Sequence, residues 1–321
     1  MFENYLMDRN QRTIANDTLS NIKNVKYGVP QGSVMGPVLF SIYINSLPNV
    51  YDFDITLYAD DAVITVTEPE RMQLALNNIA TWCCTNSLTV NEKKTKWMMF
   101  NNPKNYVPPI FTLNNVVLDN VKTFPYLGLT LDSELKFIEH RANTTKSIRH
   151  KIYQLSRVRN YIDEITALTI YKSMILSSFD YVDYIWDRGN IGESNELQLM
   201  QNRCLRLVYR VKLEAHPTFT TVQLHVKGNC RMLELRRDMH LLSYAFSLKK
   251  LDSYTDNRNL PTRLNMGIRL LVPKSVKPII LRSFHYRAII KWNCLKQVYT
   301  ELEDLDVFKI NIKKNYDTCF M

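Results

Sequence analysis

Two adjacent carboxylates, Asp60 and Asp61, are the residues of this chain best suited to chemistry. β-prone residues lie before them at 55–58 and after them at 63–67, which predicts two short strands with the acids at the bend. Two ionised carboxylates ~4 Å apart repel by about 4 kcal/mol at an effective dielectric of ~20. A divalent cation offsets this repulsion, and a metal pair can assist phosphoryl transfer. The alternative is a solvated Asp-Asp turn, which is the commoner role of an isolated pair.

A loop rich in glycine and proline, residues 28–37, precedes the carboxylates. Glycine permits backbone angles that other residues avoid, so the loop has a specified shape. Apolar residues then recur at helical spacing over 38–47 and predict a helix with one apolar face. Backbone N–H groups at such a helix start can bind an anion. An ordinary loop before a helix remains the alternative. The candidate binding residues in this loop are Gly28, Pro30, Gln31, Gly32 and Ser33.

The charge of the chain is unevenly distributed. The net charge is +10 over 321 residues, but residues 1–140 hold eleven Lys and Arg against fourteen Asp and Glu. The first part therefore has a net charge of −3 and the remainder +13. This division suggests chemistry in the front part and polyanion binding in the back part. The alternative is that the basic helices only keep the protein in solution.

Length and composition limit the class of protein. A chain of 321 residues with 45% hydrophobic content predicts two or three packed domains. The six cysteines form no CxxC and no zinc spacing, so we expect reduced thiols. The start lacks the apolar core of a signal peptide, and no apolar run reaches the ~20 residues of a membrane span. We therefore expect a nuclear or cytoplasmic protein that is neither secreted nor membrane-spanning.

The order of these motifs resembles a known family. The run from Gly28 to Ser33, the residues 39–45, and then Tyr58-Ala59-Asp60-Asp61 are similar to reverse transcriptases of non-LTR retrotransposons, in particular the jockey-like group. The first block resembles the motif that contacts template and nucleotide. The second resembles the metal-binding hairpin of the polymerase palm. The two blocks in this order and spacing are far more specific than either alone.

Two further segments resemble the same family. Residues 88–100 are similar to a motif that implies that Lys94 lies near the phosphates of the incoming nucleotide. A solvated lysine cluster with Lys93 and Lys96 is an equal alternative. The segment Tyr126-Leu127-Gly128 resembles the motif that supports the primer end. We expect Gly128 to allow two backbones to approach closely, although a glycine in a strand is often only a bulge.

The back part predicts basic helices. Residues 144–162 place apolar side chains on one side and cations elsewhere, and further helices are expected over 163–186, 194–209 and 231–248. The resemblance assigns residues 137–209 to the thumb and the helices that follow it. Cations on such helices can contact a phosphate backbone, although each basic stripe could equally be solvated surface. The candidate nucleic-acid contacts on the first helix are Arg149, Arg157 and Arg159.

The resemblance implies a fold and an activity. The expected fold is α+β, with a partial palm at 1–135, a helical thumb and following helices at 136–250, and a C-terminal segment at 251–321. The implied activity is RNA-directed DNA polymerisation, with RNA template, DNA primer and dNTPs as partners. Two Mg²⁺ ions, or Mn²⁺ in their place, would be held in part by Asp60 and Asp61. The implied catalytic residues are Asp60, Asp61 and Lys94, and the implied nucleotide or nucleic-acid contacts also include Tyr58, Leu127 and Gly128.

One motif of the family has no counterpart in this sequence. The family carries another metal-binding Asp upstream of the glycine-rich loop, and the sequence starts after that point. Asp8 lies in the connecting pattern and does not occupy that place. Fingers and endonuclease segments are also not found. We therefore expect weak or no polymerisation by this chain alone, and the alternative function is an inactive relic that at most binds nucleic acid.

Overall fold

The computed structural model describes residues 2–49, 53–100, 107–187, 191–211, 221–251, 269–273, 280 and 283–318. The chain divides into two compact units. The front unit is Met1–Trp97 with Lys104–Val121, and the helical unit is Met98–Pro103 with Lys122–Met321. Helices and short strands together confirm the α+β class. The division falls before the hairpin at 123–132. The expected bounds of palm, thumb and C-terminal segment at residues 135 and 250 stay a prediction.

The front unit contains three α-helices, a 3-10 helix at Leu47–Asn49 and ten short strands among its described residues. The helices are α1 (Phe2–Leu6), α2 (Met35–Ile44) and α3 (Pro69–Thr85). The strands are β1 (Asn10–Gln11), β2 (Ile14–Ala15), β3 (Thr18–Leu19), β4 (Lys23–Asn24), β5 (Asp54–Tyr58), β6 (Asp61–Thr65), β7 (Lys96–Trp97), β8 (Thr112–Leu113), β9 (Val116–Val117) and β10 (Asp119–Asn120). Pairs β1–β4, β2–β3, β5–β6 and β8–β9 are antiparallel, whereas β7–β10 is parallel.

Two helices of this unit differ in how far their apolar sides are buried. The apolar side of α3 is buried, with Ile79, Trp82 and Cys83 in one cluster. The apolar side of α2 is largely exposed, since Val38 is 49% and Ile42 69% accessible. Helical spacing places side chains on one stripe, but burial requires a second surface. The described residues supply that surface for α3 and leave the α2 stripe uncovered.

The helical unit contains one antiparallel hairpin and a series of helices. The hairpin consists of β11 (Thr123–Tyr126) and β12 (Leu129–Asp132). The helices are α4 (Ile138–Val158), α5 (Glu164–Ile170), α6 (Ser177–Asp180), α7 (Asp183–Trp186), α8 (Ile191–Tyr209), α9 (Thr221–Lys227), α10 (Leu233–Leu248), α11 (Phe284–Asn293), α12 (Gln297–Thr300) and α13 (Leu305–Asn315). A π-helical segment, Tyr171–Leu176, connects α5 and α6.

The predicted inner sides of the two long helices are confirmed. In α4 the buried residues include Ile148, Ile152 and Leu155. In α8 the buried residues include the expected Leu197, Met200, Cys204 and Val208, together with Gln201 and Leu205. The single helix expected over 163–186 is wrong, because the backbone changes to π geometry and then reverses at Val182, whose φ is 44°.

Buried ion pairs join α10 to the segment before α8. Asp187, which is 1% exposed, pairs with Arg237 and lies 3.7 Å from Arg141. Asp183 lies 2.7 Å from Nδ1 of His240. Burial raises the pKa of Asp183, and the hydrogen bond that His240 donates to Asp183 raises the pKa of His240. In the described ranges, no helix is both long enough and apolar enough to span a bilayer.

Candidate metal and nucleic-acid site

The carboxylate pair lies at the tip of the β5–β6 hairpin. The two strands are antiparallel, and Tyr58 lies opposite Asp61 in their register. The connection is therefore two residues long, Ala59 and Asp60. Both aspartates are exposed, and Tyr58 is 62% accessible. The predicted pair of strands with acids at the bend is confirmed, with the difference that Asp61 is already the first residue of β6.

The backbone of this tip is strained. Ala59 has a φ of 51°, in the left-handed region that a residue with a Cβ rarely occupies. Such a conformation costs about 1–3 kcal/mol and persists only where the flanking structure enforces it. The paired strands enforce it here and project Asp60 from the end of the hairpin. Strain next to an exposed carboxylate is typical of a functional turn.

The donor set fits part of a magnesium site. Mg²⁺ is commonly held by one or two carboxylates, with water and substrate phosphates as the remaining ligands. Asp60 and Asp61 supply two accessible carboxylates. Over the described residues, no three His, Cys, Asp or Glu side chains converge to form a metal site. The hairpin alone therefore provides an incomplete shell that a further ligand or a substrate phosphate must complete.

The glycine-rich loop is held by a residue that the sequence did not identify. Gly28 and Gly32 have φ values of 76° and 79°, which only glycine adopts without strain. The guanidinium of Arg9 donates to the carbonyls of Gly28 and Tyr27, and to that of Leu6 at 3.0 Å. A single arginine nineteen residues before the loop gives no periodic signal, so only the structure assigns Arg9 this role.

Ser33 is engaged in shaping the entry to α2. Its hydroxyl donates to the carbonyl of Pro30 at 2.7 Å and accepts the backbone N–H of Gly36 at 3.1 Å. This bond satisfies one of the free N–H groups at the helix start. Gln31 and Gly32 are exposed beside it. The loop is thus both a helix start and an accessible surface, and nucleotide contact by Ser33 stays a prediction.

Lys94 is exposed in the turn after α3. Its backbone N–H donates to the Oδ1 of Asn91 at 3.1 Å. The neighbouring Lys96 is 2.5 Å from Asp119, whereas no carboxylate pairs with Lys94 in the described part of the chain. Of these two cations, Lys94 is the one still available to neutralise a phosphate, although a solvated role fits the same geometry.

The hairpin β11–β12 turns at Leu127 and Gly128. Their φ values are 46° and 80°, so both residues are in the left-handed region that tight two-residue turns require. A Cβ on Gly128 would lie 3.2 Å from the ring of Tyr181. The expectation of two close backbones is therefore wrong, because the close neighbour is an aromatic side chain. The Tyr181 hydroxyl also donates to the carbonyl of Leu127.

A polar cleft of about 460 Å³ lies beside this turn. His140 and Tyr181 line it together with small hydroxyl and amide side chains. His140 accepts the backbone N–H of Thr130 at 3.2 Å, which joins α4 to β12. Burial lowers the pKa of His140, so its ring is neutral at neutral pH.

The three arginines predicted to contact nucleic acid differ in their surroundings. Arg149 is 2.6 Å from Glu196 of α8, and both side chains are exposed. Arg157 is exposed and donates to the Tyr153 hydroxyl at 3.0 Å. These two remain able to reach a solvent-borne phosphate.

The structure contradicts the prediction that Arg159 contacts nucleic acid. It is 4% exposed and cannot present its charge to a ligand in solvent. Its Nε donates to the carbonyl of Val208 at 3.0 Å, and its Nη1 donates to that of Ile162 at 2.8 Å. The last carbonyls of a helix have no partner within the helix. Arg159 supplies that partner for α8, a role that helical spacing in α4 cannot reveal.

Comparison with known proteins agrees with the motifs. Residues 1–131 match the family described as Reverse transcriptase (RNA-dependent DNA polymerase). The chain is 27% identical over 292 residues, 82% of its length, to the "Probable RNA-directed DNA polymerase from transposon BS" of Drosophila melanogaster. It is 27% identical over 223 residues, 64% of its length, to the "RNA-directed DNA polymerase from mobile element jockey" of the same organism. A jockey polymerase of Drosophila funebris is 28% identical over 206 residues, 59% of this chain.

The matches cover only part of each relative. They span 31% of the transposon BS protein, 24% of the Drosophila melanogaster jockey protein and 22% of its Drosophila funebris counterpart. The chain thus corresponds to less than a third of the length of these proteins. The predicted resemblance to a jockey-like non-LTR reverse transcriptase is confirmed.

Proposed function

We propose that this chain, a reverse transcriptase of the jockey-like non-LTR retrotransposon group, forms part of an RNA-directed DNA polymerase that extends a primer 3′-hydroxyl with dNTPs. The observation that carries the proposal is the family match of residues 1–131, which contains the exposed Asp60–Asp61 tip. RNA template and DNA primer are the expected macromolecular partners.

The hairpin tip would hold the metal. Reverse transcriptases generally use divalent metal ions, and Asp60 and Asp61 would hold Mg²⁺, or Mn²⁺ in its place. When bound, the metal supplies activation of the primer hydroxyl and neutralisation of the leaving pyrophosphate. The strained turn at Ala59 keeps the carboxylates at the accessible end of the strands. This geometry supports Asp60 as the ligand most sensitive to substitution.

The other residues would position the substrates. The loop from Gly28 to Ser33 would contact template and incoming nucleotide with its exposed backbone and Gln31. Lys94 would neutralise charge on the phosphates. The turn at Leu127 and Gly128 would support the primer strand, and Tyr58 would contact nucleic acid near the carboxylates.

A function limited to binding is the second candidate. It rests on the exposed Arg149 and Arg157 of α4, which are able to reach a phosphate backbone. Under this alternative the chain binds nucleic acid through Arg149 and Arg157 but incorporates no nucleotide. Binding would then be strongly salt-dependent, because phosphate contacts release condensed counterions.

Primer extension separates the two candidates. The chain, and the longer polymerase that contains it, are given an RNA template, a DNA primer, dNTPs and Mg²⁺. We expect incorporation by the longer protein to fall at least ~10²-fold in Asp60→Ala, the order of effect seen when one charge-stabilising group is removed. Asp54→Ala, an exposed acid at the other end of β5, is the matched control and should retain activity.

Metal binding gives a second measurement. Mn²⁺ EPR titration of the chain should show a site that weakens in Asp60→Ala and not in Asp54→Ala. Extension that survives Asp60→Ala would contradict the active-site assignment. Binding of the hybrid without extension, in both the chain and the longer protein, would favour the binding-only function.

A further inference from the structure

The turn of the β11–β12 hairpin has a partner from outside the hairpin. Leu127 and Gly128 are its two central residues, and both are exposed. The hydroxyl of Tyr181, 54 residues further along the chain than Leu127, donates to the carbonyl of Leu127. The ring of Tyr181 also lies against Gly128, since a Cβ there would be 3.2 Å from Cε1 of the ring. One side chain thus contacts both residues of the turn, by a hydrogen bond and by packing.

The hydrogen bond from Tyr181 favours one form of this turn. Two-residue hairpin turns are mostly of type I′ or II′, which differ in the orientation of their central peptide group. Positive φ at both residues, 46° at Leu127 and 80° at Gly128, is the type I′ pattern. A left-handed leucine costs about 1–3 kcal/mol and persists only where its surroundings enforce it. The donor on the carbonyl of Leu127 holds the central peptide in this orientation, because rotation of that peptide would turn the carbonyl away from the hydroxyl.

Tyr181 is itself held in a fixed position. Its backbone N–H donates to the carbonyl of Ser177 at 3.1 Å, which closes the end of α6. Its carbonyl accepts the indole N–H of the buried Trp186 at 2.9 Å. The preceding residue, Asp180, accepts a hydrogen bond from Nε of Arg236 in α10 at 2.7 Å. The backbone of Tyr181 is therefore anchored to the core of the helical unit, while the residue remains 50% exposed.

The strand that follows the turn is held by a different group. The backbone N–H of Thr130 in β12 donates to Nδ1 of His140 at 3.2 Å, which joins the strand to α4. Over the described ranges, the backbone of Leu127 and Gly128 receives a side-chain hydrogen bond from Tyr181 alone. Loss of the Tyr181 hydroxyl should therefore free the tip of the hairpin while its strands stay paired and attached to α4.

We propose that Tyr181 is a positioning residue for the primer strand: it sets the conformation of the Leu127–Gly128 turn, and the turn sets where the primer 3′ end lies. The inference rests on the proposed function, in which this turn supports the primer. A displacement of ~1 Å at the reacting groups can lower a rate by ~10²-fold. Tyr181 should therefore affect the rate of extension more than the affinity for the hybrid, because the other contacts with the hybrid stay in place.

Primer extension by the longer polymerase that contains this chain tests the inference. Tyr181→Phe removes the hydroxyl and keeps the ring, and Tyr161→Phe removes a hydroxyl from a residue that is 89% exposed and is the matched control. We expect Tyr181→Phe to lower kcat, counted per hybrid-bound enzyme, by about 10- to 100-fold and to change Kd for the hybrid less than ~3-fold. The control should change neither. A merely structural role would reduce the amount of folded enzyme and leave this kcat unchanged, which would overturn the inference.

The packing of the ring is tested at Gly128. Gly128→Ala places a Cβ 3.2 Å from the Tyr181 ring at a φ of 80°, and should lower kcat as Tyr181→Phe does. Contacting residues are not additive. Tyr181→Ala should therefore lower kcat less in the Gly128→Ala background than in the wild type. Additive losses would show that the two residues act separately, and would overturn the inference.

A measurement without catalysis separates this inference from the proposed function. The RNA–DNA hybrid has 2-aminopurine either at the primer 3′ end or well inside the duplex, and neither metal nor dNTP is present. Tyr181→Phe in the full chain should change the fluorescence of the bound terminal probe and leave that of the internal probe unchanged. A terminal probe that does not respond would overturn the inference. If the terminal probe responds but the longer wild-type protein extends no primer, the proposed polymerase function alone is contradicted.

Discussion

The front unit and the helical unit are built differently. The helical unit buries two large apolar clusters and several ion pairs, including the pair of Asp183 with His240. The front unit has small cores between short strands and helices, and large apolar side chains such as Val34 at 89% and Ile42 at 69% remain exposed. The carboxylates proposed for catalysis thus lie in the unit with the smaller apolar core. The arginines proposed to contact nucleic acid, Arg149 and Arg157, lie in the unit with the larger core.

The two units also position their functional side chains by different means. In the front unit, unusual backbone angles at Gly28, Gly32 and Ala59 shape the candidate site. In the helical unit, regular helices carry the cations and packing sorts them, so that Arg159 is buried while Arg203 is exposed. Substitutions in the two units should therefore change the stability of the protein by different amounts.

The largest expected effect comes from the buried ions of the helical unit. Asp187→Asn removes the carboxylate that pairs with the buried Arg237, and breaking a buried pair by removing one partner costs about 3–5 kcal/mol. Urea denaturation followed by circular dichroism measures the free energy of unfolding. Glu196→Gln, which breaks the exposed pair with Arg149, is the control and should cost about 0–1 kcal/mol. Equal effects would show that the Asp187 cluster is not a buried ionic core.

Truncation of a core side chain in α8 should lower the free energy of unfolding by nearly as much. Leu205 is fully buried in α8, so Leu205→Ala should lower the free energy of unfolding by about 2–5 kcal/mol through lost contacts and a cavity. Leu199 lies on the same helix and is 64% exposed. The same substitution there should change stability by at most about 0.5 kcal/mol. A small effect at Leu205 in the same urea titration would contradict the packing of α8.

The strained turn of the front unit gives a smaller effect with a diagnostic sign. Ala59→Gly removes the Cβ that disfavours the left-handed φ and should stabilise the hairpin by about 1 kcal/mol. Ala62→Gly, at the second residue of β6, should destabilise by about 0.5–1 kcal/mol because glycine weakens a strand. Thermal unfolding should show Tm shifts of opposite sign. Destabilisation by both substitutions would contradict the strained backbone at Ala59.

The smallest expected effect is the pH dependence from His240, whose side chain is 36% exposed and therefore screened by solvent. Its pKa is raised by Asp183, so its stabilisation is complete below the unfolded value of about 6.5 and is lost as pH rises through the folded value. The raised pKa of Asp183 acts in the same direction, and Asp180 and Arg236 also influence His240.

The measurement is the urea midpoint at pH 5.5 and pH 8.5. The difference between the wild type and His240→Gln should be larger at pH 5.5 and should shrink at pH 8.5. A difference that grows with pH would mean that the Asp183–His240 pair does not carry the charge assigned to it.

Much of the local structure follows from the sequence. The inner side of α8 and the tight turn at Asn114 and Asn115, with φ values of 49° and 64°, agree with periodicity and turn preference. The break near Val182 was not predictable, since the apolar pattern of 163–186 is compatible with one continuous helix. The burial of Arg159 was also not predictable, because its partners are carbonyls 48 and 49 residues away.

The sequence by itself determined the resemblance to jockey-like reverse transcriptases and the two strands that carry Asp60 and Asp61, because motif order and local alternation are properties of neighbouring residues. Only the tertiary structure decided which cations are available to a ligand: Arg159 closes the end of α8, while Arg149 and Arg157 are exposed. The reason is physical. The guanidinium group has the same chemistry at every position in a sequence. Its role depends on whether distant carbonyls, carboxylates or solvent surround it.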